Sequence, residues 1–291
     1  MKKIGFIGLG IMGAPMAGHL SRKGFHVSVF NRSHKKSISW KSQYNGIVCD
    51  SIAELAASSE VIILCVGNDD DVRDIIIGNN NLGVIDNAKS GLIVIDHTTT
   101  SANLSKEMNT ALLAKDCYFI DAPVSGGQSG AEGGNLSIMA GGDFRAYDDS
   151  KDIFNSYSRF HKLMGSSGSG QLTKMVNQIC IAGLIQALAE GMNFSERAGL
   201  NTPDVMEVIT KGAAQSWQME NRWETMLADQ YDHGFAVDWM RKDLNIASEE
   251  AIKIGADIEI TKLVNTFYKD VQDLGGNRWD TSSLLKRLKE K

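Results

Sequence analysis

The chain has 291 residues, enough for two domains of ordinary size. Hydrophobic residues make up 43% and charged residues 22%, an ordinary globular composition, and a formal net charge of −5 argues against the basic surface that general nucleic-acid binding needs. Twenty-nine glycines against three prolines point to tight turns and close backbone approaches rather than flexible linkers.

At the start, Lys2 and Lys3 precede an apolar run and so imitate a secretory leader. Gly5, Gly8, Gly10, Gly13 and Pro15 interrupt the run, which continues into a sensible strand–turn–helix unit. No stretch is expected to supply the ~20 apolar residues that a membrane helix needs, so no membrane partner is expected. Cys49, Cys65, Cys117 and Cys180 form no C-x-x-C pair, which speaks against a zinc ribbon or dithiol motif and for a reducing, cytoplasmic setting. No His, Cys or carboxylate cluster has ligand spacing, and no metal is expected.

Six apolar runs predict strands: Ile4–Gly8, Val27–Phe30, Val61–Val66, Leu92–Asp96, Tyr118–Ala122 and Leu136–Ala140. They lack clean alternation, as strands buried on both faces of a parallel sheet do. Ala14–Lys23 and Ser51–Ala57 suit helices. Strands alternating with helices predict an α/β, Rossmann-type, doubly wound parallel sheet. Past the Gly/Ser turn Gly165–Gly170 the strand signals almost vanish, and a long helical pattern runs from Gln171 to about Ala198. Gly199 closes it, Pro203 opens another helix, and the remainder reads as all-helical. The expected division is a dinucleotide-binding domain, 1–165, and an all-α domain, 166–291, entered through a helix at about 171–198.

The hexamer Gly8-Leu9-Gly10-Ile11-Met12-Gly13 is a G-x-G-x-x-G that follows a strand and opens a helix. That context makes it a dinucleotide fingerprint. Gly8 permits the tight turn, Gly10 lets the backbone approach a pyrophosphate, and Gly13 lets helix and strand pack closely, with the helix N-terminus facing the phosphates. The second strand ends in Asn31-Arg32-Ser33, with no carboxylate for a ribose 2′-hydroxyl. Asn31 and Ser33 offer hydrogen bonds, and the Arg32 fork suits a 2′-phosphate, so NADP is the expected cofactor, with NAD as the other possibility.

After the fifth strand comes Asp121-Ala-Pro-Val-Ser125-Gly126-Gly127, at the sheet edge where ligands of open α/β folds bind. Its serine hydroxyl and successive glycine N–H groups suit a carboxylate. Lys174, Asn177 and Gln178 share one face of the long helix. A lysine beside a cationic nicotinamide, or partly desolvated, has its pKa lowered towards neutrality and can exchange a proton with a substrate oxygen.

Four motifs now stand in order: Gly5–Gly13 with Pro15-Met16-Ala17, Asp121–Gly127, Gly168–Gln178, and Lys242-Asp243-Leu244. In these the sequence resembles the β-hydroxyacid dehydrogenase family, which includes 3-hydroxyisobutyrate dehydrogenase, tartronate semialdehyde reductase and the glyoxylate/succinic semialdehyde reductases. The resemblance implies a hydride-transferring enzyme acting on a small β-hydroxy acid or semialdehyde. It implies Lys174 as general acid/base, with Ser125, Gly126 and Gly127 on the substrate carboxylate. Asn177, Gln178, Phe235 and Asp243 are implied to shape the substrate site. Thr99, on the nicotinamide side, and Lys242 are implied cofactor contacts, and Asn31-Arg32-Ser33 is similar to the Asn-Arg-Thr of NADP-preferring members. Val66-Gly67-Asn68 departs from the family's usual Leu-Pro at the cofactor, and Val66 is retained there as a backbone contact. His97 stands where a smaller or apolar residue is common, and is read as pocket-lining or structural.

Three other readings are weaker. Phosphogluconate dehydrogenases carry a much larger helical domain. Imine reductases share the architecture but usually lack the lysine. A cofactor-binding interaction module would be expected to have lost Lys174. Trp217, Trp223, Trp239 and Trp279 in the helical half suggest a homodimer or homotetramer; Trp217, Met219 and Trp239 are candidates for an apolar wall of the site.

Overall fold

The computed structural model describes residues 2–78 and 82–290. The chain forms two compact units, Met1–Lys174 and Met175–Lys291. The first carries strands β1 (Lys3–Ile7), β2 (His26–Phe30), β3 (Ile47–Val48), β4 (Val61–Leu64), β5 (Ile93–Asp96), β6 (Tyr118–Asp121), β7 (Val124–Ser125), β8 (Leu136–Gly142) and β9 (Ser158–Gly165). They make one sheet in which β3-β2-β1-β4-β5-β6 run parallel. Strand β8 then pairs antiparallel with β6 and β7, and β9 adds in parallel on the other side of β8.

The strand sequences explain this sheet. On β4 and β5, Ile63 and Ile95 enter one buried cluster while Ile62, Leu64 and Val94 enter another. Both faces are dry, so the strands read as unbroken apolar runs. The helix Gly13–Arg22 crosses from β1 to β2, and Ala102–Leu113 from β5 to β6. Strand order reverses beside β1, which has β2 on one edge and β4 on the other. That switch point is where an open α/β sheet offers a crevice to a ligand.

Two expectations need correction here. The sheet is mostly but not wholly parallel: β6, which also pairs with β5, and β7 follow one another along one side of β8, interrupted at Ala122-Pro123, and both lie antiparallel to it. The Met139 N–H bridges the gap by donating to Pro123 O at 3.1 Å. In addition, the long helix, Ser169–Arg197, is long and apolar enough by length and composition to cross a membrane, contrary to the expectation that no stretch is. Part of its apolar surface serves the protein interior, since Ala182, Ile185, Leu188, Ala189 and Met192 are buried in the second unit's core, while Val176, Leu184 and Phe194 are exposed.

The first turn and a half of that helix belongs to the first unit, because its backbone bonds to side chains of that unit. The division therefore falls after Lys174, later than residue 165. The second unit continues with helices Thr202–Ile209, Trp217–Leu227, Val237–Ile254, Glu259–Asp273 and Leu284–Lys289. Met240, Leu244, Tyr268, Val271 and Leu284 fill its core. Asp280, 1% exposed, accepts from Arg222 Nε at 3.1 Å and from Phe235 N–H at 2.9 Å, and so ties the loop before Val237–Ile254 to the segment before the last helix.

The close approach of β1 and its helix leaves no room at Gly13, where a Cβ would stand 1.9 Å from Gly8 O. Gly13→Ala is expected to lower the unfolding free energy by about 1–3 kcal/mol or more, the cost of overpacking, as read by urea denaturation. Unchanged stability would contradict this packing.

Candidate active site

The glycine-rich turn is built by sterics. Gly8 has φ +99°, and a Cβ there would meet Cys65 O at 2.2 Å, so only glycine fits. Around Gly10, by contrast, an added Cβ would meet nothing within 4 Å. The backbone at Gly10 is therefore open to a ligand, which fits a pyrophosphate cradled at the start of the helix Gly13–Arg22. Leu9 is buried and Ile11 exposed. The Leu9 N–H donates to Asn31 Oδ1 at 2.9 Å, and Asn31 Nδ2 donates to Ser33 O at 3.1 Å. Asn31 thus ties the end of β2 to the turn. Arg32 is held loosely: its side chain is 94% exposed, and Nη1 lies 3.7 Å from Asp71 Oδ1. Asp71, in the first turn of the helix Asp69–Ile76, is a neighbour that spacing alone did not reveal; its other oxygen accepts from Gly67 N–H at 3.1 Å.

At the end of β6, Asp121 is fully buried. Oδ1 accepts the Gly168 N–H at 2.7 Å and Oδ2 the Gln171 N–H at 3.0 Å. Those donors are backbone groups at the N-terminus of the long helix, which has no other acceptor for them within its own turns. Burial pushes the Asp121 carboxyl up to about 7, against the opposing pull of the N–H groups. Glycine is required around it: a Cβ on Gly170 would meet Met139 O at 2.4 Å and Asp121 O at 2.5 Å.

One turn along the same helix, Lys174 is 7% exposed, and its Nζ donates to Val124 O at 2.8 Å. Val124 immediately precedes Ser125, Gly126 and Gly127, and the two glycines have φ of +136° and +61°. Successive positive φ values are affordable only for glycine and turn the chain sharply beside the lysine. The structure therefore brings Lys174, Ser125, Gly126 and Gly127 together at one sheet edge.

The loop after β5 lies along that edge. His97 Nδ1 sits 2.6 Å from Ala122 O, and Nε2 sits 2.9 Å from the Tyr157 hydroxyl. Burial lowers the His97 imidazole to about 4, so it is neutral at physiological pH and acts as a strut between β5 and the β6–β7 edge. Thr98 Oγ1 accepts from Val66 N–H at 3.0 Å, which fixes the loop after β4 against the loop carrying Thr99. The Val66 N–H is therefore engaged within the protein.

In the second unit, the expected site residues form one chain of contacts. Asn177 Nδ2 donates to Gln178 Oε1 at 2.8 Å, and Gln178 Nε2 donates to Asp243 Oδ2 at 2.7 Å. Lys242 Nζ lies 3.3 Å from Asp243 Oδ1 and 5.9 Å from the Trp239 ring centroid. Gln178 and Asp243, both about 2% exposed, are engaged with one another. Phe235 and Met219 pack against the helical core, while Trp217 and Trp239 are partly exposed with Arg222 and Arg278 over their rings.

The chain is similar to known proteins along its whole length. Residues 3–179 match the family described as the NAD binding domain of 6-phosphogluconate dehydrogenase. Residues 168–288 match the family described as the NAD-binding of NADP-dependent 3-hydroxyisobutyrate dehydrogenase. An uncharacterized oxidoreductase of Shewanella frigidimarina is 51% identical over 290 residues, covering 100% of this chain and 99% of its own. The 2-hydroxy-3-oxopropionate reductase of Escherichia coli is 30% identical, covering 98% and 97%. The solved structure of Mycobacterium tuberculosis 3-hydroxyisobutyrate dehydrogenase with L-serine superposes with a TM-score of 0.87 at 26% identity, over 99% of each chain.

A carboxyl raised in the folded state adds stability that is full below its ordinary value, about 4, and is lost as pH rises through about 7. His97 works the other way, its contribution being lost as pH falls through about 4. Asp121→Asn removes only the first dependence. The stability advantage of wild type over this variant is expected to shrink between about pH 4 and pH 7 in urea unfolding, and a constant difference would contradict the buried carboxyl.

Proposed function

The chain belongs to the β-hydroxyacid dehydrogenase family of NAD(P)-dependent oxidoreductases, and from that premise we propose that it reduces a small semialdehyde to its β-hydroxy acid, or the reverse, with NADP preferred. The observation that carries this reading is the buried Lys174 amine, bonded to Val124 O one residue before the Ser125–Gly127 turn.

The bound nicotinamide supplies or takes the hydride. The chain's own groups do the rest. Ser125 Oγ and the N–H groups of Gly126 and Gly127 receive the substrate carboxylate, which orients the carbon that reacts. Lys174 Nζ donates a proton to the carbonyl oxygen in reduction and accepts the hydroxyl proton in oxidation. Asn177, steadied by Gln178 and through it by Asp243, offers an amide three residues beyond the lysine. Thr99 and Val66 border the nicotinamide half of the cofactor, the glycine-rich turn takes the pyrophosphate, and Arg32 meets the 2′-phosphate. Lys242 and Phe235 stay on the resemblance alone as site residues. A small carboxylate substrate, a homodimer or homotetramer and a reducing cytoplasmic setting complete the proposal. Exposed Phe194, Val208 and Ile252 on the second unit support self-association, and the cysteine pattern supports the setting.

Lys174→Ala is expected to lower kcat for the preferred semialdehyde by about a hundredfold or more with NADPH affinity nearly unchanged, as read by steady-state kinetics and fluorescence titration. Near-normal turnover would refute the role. The preferred substrate is found by following NADPH consumption with glyoxylate, succinic semialdehyde and tartronate semialdehyde.

Arg32→Glu is expected to cut the NADPH-over-NADH ratio of kcat/KM by about tenfold or more, since it replaces a cation with an anion beside a phosphate and beside Asp71. A preserved ratio would remove NADP preference from this residue.

A further inference from the structure

Gln171 lies within the first turns of the long helix, three residues before Lys174, and is fully buried. A buried primary amide is costly unless both of its ends are bonded. Here both are. Nε2 donates to Thr98 O at 2.7 Å, and Oε1 accepts the Thr100 N–H at 3.1 Å. The side chain therefore replaces a missing strand neighbour for the loop after β5, taking one carbonyl and one N–H that no sheet ladder serves. Its own N–H goes to Asp121 Oδ2, so the backbone of Gln171 is fixed to the end of β6.

The bonded chain extends further. The same Thr98 whose carbonyl is held by Gln171 uses its hydroxyl oxygen to accept from Val66 N–H, and its own N–H donates to Asp96 Oδ1 at 2.9 Å. One glutamine side chain thus links three things at the carboxyl ends of β4, β5 and β6: the loop at Val66, the loop at His97–Thr100, and the helical turn that presents Lys174. In a doubly wound sheet a dinucleotide lies across the switch point, with one mononucleotide half over β1 and β2 and the other over the strands from β4 onward. Gln171 serves only the second half.

We propose that Gln171 is a positioning residue that holds the two loops under the nicotinamide half of the cofactor in register with Lys174. This rests on the dehydrogenase reading above. The residue touches neither cofactor nor substrate; it acts through Thr98, Thr100 and Val66.

The test separates the two halves of the nucleotide. NADPH and ADP-ribose 2′-phosphate share every group except the nicotinamide and its stabilising contacts. Binding of each is measured by titration calorimetry to the full-length wild type and to Gln171→Met, a variant of similar length with no amide. The proposal expects NADPH to bind about tenfold more weakly to the variant, which loses both side-chain hydrogen bonds to the loop, with ADP-ribose 2′-phosphate binding unchanged. Equal weakening of both ligands, or of neither, overturns it, because a residue that merely supports the fold would not discriminate between them. If Gln171→Met does not fold, Gln171→Glu takes its place. That near-isosteric variant keeps the acceptor for Thr100 N–H and sets a carboxylate against Thr98 O, and the same ratio is read. If wild type prefers NAD, NADH and ADP-ribose form the pair. Wild type that binds no dinucleotide at all would overturn the dehydrogenase reading together with this one, whereas wild-type binding with no difference in the variant overturns this one alone.

Discussion

A single buried carboxyl group joins the end of the parallel sheet to the start of the long helix. Asp121 ends the sixth strand and accepts two of the N–H groups that begin the long helix. Helix N-termini carry unsatisfied donors and the positive end of the dipole, which offset part of the cost of burying this carboxyl, although burial still raises it to about 7. The bond fixes the helix in direction and in rotation. One turn on, rotation decides whether the Lys174 amine faces the strand edge or away from it, and it faces Val124 O. Gly141 and Gly170 exist in the sequence because any Cβ there would occupy the space of Asp121 or its partners.

The rest of the edge is held by buried polar groups that are paired with one another. His97 spans Ala122 O and the Tyr157 hydroxyl, Thr98 takes Val66 N–H, and Gln171 takes the loop between them. Leaving one such group unpaired costs about 1–3 kcal/mol, so the loops are confined to the geometry that satisfies all of them. Such confinement suits hydride transfer, where the protein contributes orientation more than chemistry. In the second unit the Gln178–Asp243–Lys242 series does the same for Asn177.

Much of this was legible before any coordinates. Period and length located six strands, because β1, β4, β5 and β6 are largely buried apolar runs and β2 and β8 bury alternate apolar residues. The missed strands lacked that signal: β3 and β7 are two residues each, and β9 is a largely exposed edge strand carrying Arg159, His161 and Lys162. The glycine-rich turn, the Ser125–Gly127 turn and Lys174 could be singled out because each lies in a local motif. The positioning groups were not. Asp121 and Gln171 lie inside quoted motifs, yet their partners are 47 to 73 residues away in sequence, beyond any spacing rule. The Arg32–Asp71 approach is of the same kind, an acidic neighbour delivered by the first turn of a different helix.

The most direct measurement is a crystal structure of the protein with NADP and its preferred β-hydroxy acid. The account predicts the hydroxyl oxygen at about 3 Å from Lys174 Nζ, with the carboxylate on Ser125, Gly126 and Gly127. A bound substrate whose reacting oxygen lies away from that amine, with the lysine still bonded only to protein, would contradict it.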